Sequence, residues 1–68
     1  MAETSEPTIQ LDQFMKLTGM IGTGGQAKVV IQAGEVRLNG AIETRRKKKL
    51  KAGDQVTFQG QTLPVEFE

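Results

Sequence analysis

Sixty-eight residues make one domain and no second, and 37% hydrophobic with 25% charged residues suits a folded chain. With no Cys and no His, disulfides, thiol chemistry, the usual zinc sites and the usual general base are excluded. A chain this short buries only about 60% of its unfolded surface and has little material for a pocket of ~300 Å³, so a binding module is expected, not an enzyme. No cofactor, no metal and no small-molecule substrate are expected.

Residues 1–7 read as a disordered tail, which leaves 8–68 as a single domain. The opening MAETSEPT is acidic and polar, without the charged-then-apolar order of a signal peptide. No stretch approaches the ~18 apolar residues of a membrane span. A cytoplasmic monomer that meets no membrane is the expectation.

Thr8 to Leu11 is a short extended lead-in. Asp12 is a suitable N-cap for a helix from Gln13 to about Thr18. Leu11, Phe14, Met15 and Leu17 form its apolar side, with Lys16 opposite. Gly19 stops it. Thr23 followed by Gln26 fits a capping box and starts a second helix at about Gly24. Ala27, Val30 and Ile31 are its buried stripe, Lys28 and Gln32 its exposed side, and Gly34 its end. Glycines 24 and 25 weaken a helix, so their presence implies close backbone approach by another element or by a ligand.

From Glu35 the period changes to two. Val36 and Leu38 alternate with Arg37 and Asn39, and Asn39-Gly40 signals a tight hairpin. Ala41 to Arg45 is the returning strand, with Ile42 inward. Leu50 re-enters the core and Ala52-Gly53-Asp54 turns. Gln55 to Gln59 alternates with Val56 and Phe58 inward. After a turn at Gln59-Gly60, Leu63, Val65 and Phe67 alternate to the end, and Pro64 confines that strand to an edge. Helix, helix, then three or four strands is an α+β fold: two helices packed on a small antiparallel sheet.

The charge is polarised. From Arg37 to Lys51 there are seven basic residues (Arg37, Arg45, Arg46, Lys47, Lys48, Lys49 and Lys51) and one acid, Glu43. The rest has Lys16 and Lys28 against seven acids. Five consecutive cations, Arg45 to Lys49, point to an anionic partner, most commonly nucleic acid. The bland alternative is a solvated basic loop. Asp12, Glu35, Glu43 and Asp54 show no paired-carboxylate spacing and read as solubilising surface.

Gly22-Thr23-Gly24-Gly25-Gln26-Ala27 satisfies G-x-G-x-x-A, but a helix precedes it and hairpins follow, so a dinucleotide site is rejected. What survives is that free N–H groups at Gly24, Gly25 and Gln26 can hold a phosphate. There is no Trp or Tyr, and Phe14, Phe58 and Phe67 fall on expected core faces. With no stacking platform, recognition of backbone and shape in folded or duplex RNA is favoured.

Three stretches together carry a resemblance: Leu11-Asp12-x-x-Met15-Lys16-Leu17-x-Gly19, Thr23-x-x-x-Ala27-x-x-x-Ile31-x-x-Gly34-x-Val36-x-Leu38-Asn39-Gly40, and Leu50-x-x-Gly53-Asp54-x-Val56. They resemble the S4-like RNA-binding domain, and Gly-Thr-Gly-Gly-Gln-Ala-Lys with Glu-Thr-Arg-Arg looks most like its stand-alone bacterial branch, the YbcJ-like small proteins. The resemblance implies an L-shaped two-helix (αL) motif on a small sheet. It also implies RNA lying across the second helix start and the neighbouring hairpin. By position it nominates Lys16, Thr23, Lys28, Arg37, Asn39 and the Arg45–Lys49 loop as RNA contacts. Gln10 and Gly24 stand where the broader family often has basic residues.

The implied function is non-enzymatic binding of structured RNA, ribosomal or transfer RNA. The alternatives are a protein-interaction adaptor using the edge strand near Leu63–Phe67, or a tethering module working beside an enzyme. Lys28 and the 45–49 loop are expected to share one surface.

Overall fold

The computed structural model describes residues 7–67. The tail expected over 1–7 therefore lies outside the described residues apart from Pro7, as does Glu68. Strand β1 (Ile9–Gln10) runs straight into helix α1 (Leu11–Leu17), and helix α2 (Gly24–Gln32) follows. Five strands complete the chain: β2 (Val36–Leu38), β3 (Ala41–Ile42), β4 (Lys49–Leu50), β5 (Gln55–Phe58) and β6 (Gln61–Pro64).

Each helix buries one stripe at i, i+3, i+4 spacing: Leu11, Phe14 and Met15 on α1, Ala27, Val30 and Ile31 on α2. The helices pack on each other and share a core with Ile21, Val36, Leu50, Val56, Phe58 and Val65. A fully buried side chain of this size contributes about 1.5–3 kcal/mol, so this one cluster dominates the stability of so small a chain.

The main sheet is antiparallel in the order β3-β2-β5-β6. Two-residue turns set its register. Asn39 and Gly40 have φ of 54° and 86°, and Gln59 and Gly60 have 53° and 79°. Left-handed backbone at both central positions is the turn whose twist matches paired strands. Val36 faces Phe58, and Leu38 faces Val56, so these four share the core side. Arg37 lies opposite Ile42 on one side and Thr57 on the other, which puts all three on the outer side. β6 is an edge strand, and its Pro64 sits where a missing N–H is tolerated.

Several expectations need correction. Asp12 does not cap α1: the cap position is Gln10, with no side-chain hydrogen bond, and Asp12 lies in the first turn. Leu17 is 76% exposed, because only Leu11, Phe14 and Met15 fit the narrow stripe that α2 covers. The returning strand stops at Ile42, not Arg45, and Ile42 points outward at 58% exposure. The reason is register: a two-residue turn pairs 38 with 41, so 42 shares the face of Arg37. The last strand ends at Pro64, which leaves Phe67 36% exposed. A separate two-stranded ladder pairs β1 with β4, so Lys49 is a strand residue.

Candidate functional site

The basic segment 45–51 is a strap lying over the start of α1. The N–H of Leu11 donates to the Lys48 carbonyl at 2.9 Å, and that of Asp12 to the Arg46 carbonyl at 3.0 Å. Those are two of the N–H groups that a helix start leaves without intrahelical partners. The strap's own carbonyls supply the cap that Gln10 does not, and Asp12 Oδ1 takes the next N–H, that of Gln13, at 2.8 Å. Lys49 and Leu50 then pair with Gln10 and Ile9, and the buried Leu50 pins the far end. The backbone is thus held from inside, while Arg45, Lys47, Lys49 and Lys51 are exposed and Arg46 and Lys48 half-buried.

Three carboxylates sit along the strap. Glu43 accepts from Arg45 Nε at 2.8 Å and Nη2 at 3.4 Å, and from the Arg45 backbone N–H at 3.1 Å. The Asp12 carboxylate lies 3.8 Å from Arg46 Nη1. Asp54 accepts from the Lys51 backbone N–H at 3.0 Å, from Lys51 Nζ at 3.3 Å and from Asn39 Nδ2 at 3.2 Å. The Arg45 side chain holds the Glu43 carboxyl below its ordinary value, and the Lys51 backbone N–H does the same for the buried Asp54. Among the described residues, Lys47, Lys48 and Lys49 have no carboxylate partner. The acids therefore offset the ends of the strap and leave its middle charged.

Reading these acids as solubilising surface was wrong for three of the four. Asp54 is 7% exposed and joins two turns, because Asn39 also accepts from the Gln55 N–H at 3.0 Å. Glu43 and Asp12 are largely covered. The available signal was Glu43 as the single acid in a basic window, and Gly53-Asp54 at a turn.

The nominated residues fall into four groups. The strap holds Arg45, Arg46, Lys47, Lys48, Lys49 and Lys51. The start of α2 holds Thr23, Gly24, Gly25 and Lys28, since Lys28 lies one helical turn beyond the two glycines on the exposed side. Thr23 Oγ1 accepts from the Gln26 N–H at 3.1 Å, and Gln26 Oε1 accepts from the Gly22 N–H at 3.2 Å, one residue earlier than in the usual capping box. A side chain added at Gly24 or Gly25 would meet nothing, so no element of the described chain approaches those glycines. Lys16 borders a shallow groove with Ile9, Gln13 and Leu17. Arg37 stands on the outer sheet face, and Asn39 spends its amide on Asp54 and Gln55, a structural role. No hydrogen bond or ion pair among the described residues joins the α2 group to the strap.

Among the described residues no three acidic side chains gather as a cation site, and no helix is long and apolar enough to cross a membrane.

Comparison with known proteins adds four findings. The family model described as S4 domain matches residues 2–66. The chain is 41% identical over 59 residues to "Putative RNA-binding protein YbcJ" of Escherichia coli (strain K12), spanning 87% of this chain and 84% of the relative. It is 42% identical over 52 residues to "Probable ribosome maturation protein RlbA" of Bacillus subtilis (strain 168), spanning 76% and 73%. The solution structure of Escherichia coli YbcJ, described as revealing an αL motif involved in RNA binding, superposes with a TM-score of 0.65 at 35% identity. That superposition covers 96% of this chain and 80% of that one.

Proposed function

We propose that this chain, which belongs to the S4 domain family, is a non-enzymatic cytoplasmic protein that binds structured RNA, ribosomal or transfer RNA. The observation that carries the reading is the strap: three lysines in succession without carboxylate partners among the described residues, on a backbone fixed to α1. A prearranged row of cations loses little further freedom on meeting a phosphate backbone. The exposed start of α2, with Lys28 and the unobstructed glycines, offers a second set of phosphate contacts. The names of the relatives, RNA binding for one and ribosome maturation for the other, support the same ligand class.

The aromatic residues favour shape over base stacking. Phe14 and Phe58 are buried, and Phe67 alone is partly exposed. One such ring makes no run of stacking platforms, so phosphates and helix geometry are what this surface reads.

Titration against ribosomal RNA fragments at several salt concentrations tests the reading. With ~4 phosphates neutralised, log K falls with log salt at a slope of roughly −3 to −4. Lys47→Ala weakens binding and flattens that slope by about 1, while stability stays within about 0.5 kcal/mol. A slope near zero in the unaltered chain would sink the electrostatic reading.

A second reading has one observation behind it. Leu17 and Phe67 flank an apolar groove of ≈ 260 Å³ that Ile9, Phe14 and Pro64 also line, beside edge strand β6. A protein adaptor using that side would keep its affinity as salt rises.

A further inference from the structure

Arg45 is the most exposed arginine of the strap, yet two of its five guanidinium N–H donors are already engaged. Its side chain is 71% exposed, while that of its partner Glu43 is only 12% exposed. The Nε and one Nη2 proton of the guanidinium meet the two oxygens of one carboxylate, at 2.8 and 3.4 Å. That fork is the same planar two-point geometry with which arginine grips a phosphate. Glu43 is held in place from its own backbone, whose N–H donates to the Val36 carbonyl at 3.0 Å. The carboxylate also accepts the Arg45 backbone N–H, so acid and arginine close a small ring within the loop. By contrast Asp12 stands 3.8 Å from Arg46 and makes no hydrogen bond to it.

We infer that the Arg45 fork is a phosphate site closed in the free protein by Glu43, which acts as an internal competitor for the phosphodiester of RNA. A phosphate reaching the strap must displace the carboxylate or share the guanidinium with it. Contacts at Lys47, Lys48 and Lys49 face no such rival. Binding therefore proceeds in two tiers, and Glu43 sets how strongly an RNA must engage the strap before Arg45 joins. An isolated anion finds Arg45 occupied; a polyanion already anchored on the lysines brings the next phosphate to it at high local concentration.

The inference rests on RNA binding by the strap, and the test separates the two. Glu43→Gln removes the charge and keeps an oxygen to accept the Arg45 N–H. An RNA stem–loop of mixed sequence is titrated between about 50 and 200 mM salt against the unaltered chain, Glu43→Gln, Arg45→Gln and the double variant, each first shown to melt cooperatively. Glu43→Gln is expected to bind about 3–10-fold more tightly at the low-salt end, with the log–log slope steeper by about 1, one phosphate more. The gain should vanish in the Arg45→Gln background, because the competitor acts through that fork. A gain that persists without Arg45 would show a general charge effect and overturn the proposal. Unchanged or weaker binding by Glu43→Gln, with the unaltered chain still salt-dependent, would overturn it too and leave strap binding intact. Salt-independent binding by the unaltered chain would remove the strap reading itself, and this inference with it.

Discussion

The two helices begin in opposite ways. At α2 the cap is local: Thr23 serves the Gln26 N–H, and Gln26 returns to Gly22, all within five residues. At α1 the cap residue Gln10 takes no N–H, Asp12 Oδ1 accepts only the Gln13 N–H at 2.8 Å, and the carbonyls of Arg46 and Lys48, distant in sequence, take the two N–H groups before it. One start is therefore self-sufficient and open to a ligand. The other is used up in holding the basic strap. The strap gains its shape by closing α1, whereas α2 keeps glycine at its first two positions with nothing of the described residues over them.

The most severe way to break this comparison is to remove what both helices stand on. Phe14→Ala on α1 and Ile31→Ala on α2 should each lose about 2–5 kcal/mol in urea unfolding, since both side chains are buried in the one core. A loss well below about 1 kcal/mol for either would mean that its helix is not anchored there.

Next in size is the anchor at the end of the strap. Asp54→Ala strands the Lys51 N–H and the Asn39 amide, at a loss of about 1–3 kcal/mol by the same measurement. The same carboxylate gives a pH signature. Asp54 and Glu43 both titrate below their ordinary values of 3.8 and 4.5 in the folded chain. Their contribution to stability is then complete above those ordinary values. It is lost as pH falls through the depressed folded ones. Melting temperature should hold from neutral pH down to about 5 and decline below about 4. A melting temperature that rises into acid would contradict both ion pairs.

Capping itself supplies a smaller and more pointed contrast. Thr23→Ala should destabilise by about 1 kcal/mol, because it removes the acceptor at α2. Gln10→Ala, at the same position of α1, should stay within about 0.5 kcal/mol, because its side chain caps nothing. Equal losses would erase the distinction between the two starts.

The smallest expected change in stability is also the one that reports on function. Gly24→Asp puts a carboxylate at the open start of α2, where the helix dipole favours it by about 0.3–1 kcal/mol and the added Cβ meets none of the described elements. The fold should hold or tighten. RNA affinity should fall, since the same carboxylate occupies the N–H groups and repels phosphate. Melting and RNA titration on one sample decide it. Unchanged affinity in a folded Gly24→Asp protein would assign this turn to capping alone and leave binding to the strap.

What the sequence determined by itself is whatever is settled within about one turn of helix or one hairpin. Both helices, their i, i+3, i+4 stripes, the Thr23–Gln26 cap and the Asn39-Gly40 turn depend on neighbours in the chain, so composition and spacing display them. Ile42 was misread as inward from the alternation of apolar residues, although a two-residue turn dictates that 42 pairs with 37 and so faces outward. Only the tertiary structure decided the strap. Five cations in a row reveal charge but not which carboxylate reaches which cation, because Asp12–Arg46 is made by chain return and not by proximity in sequence. The same holds for α1, whose apparent cap residue, Asp12, is the second residue of the helix and reaches only the Gln13 N–H. Backbone carbonyls have no residue identity, so a helix closed by the carbonyls of a distant segment leaves no mark in either stretch of sequence.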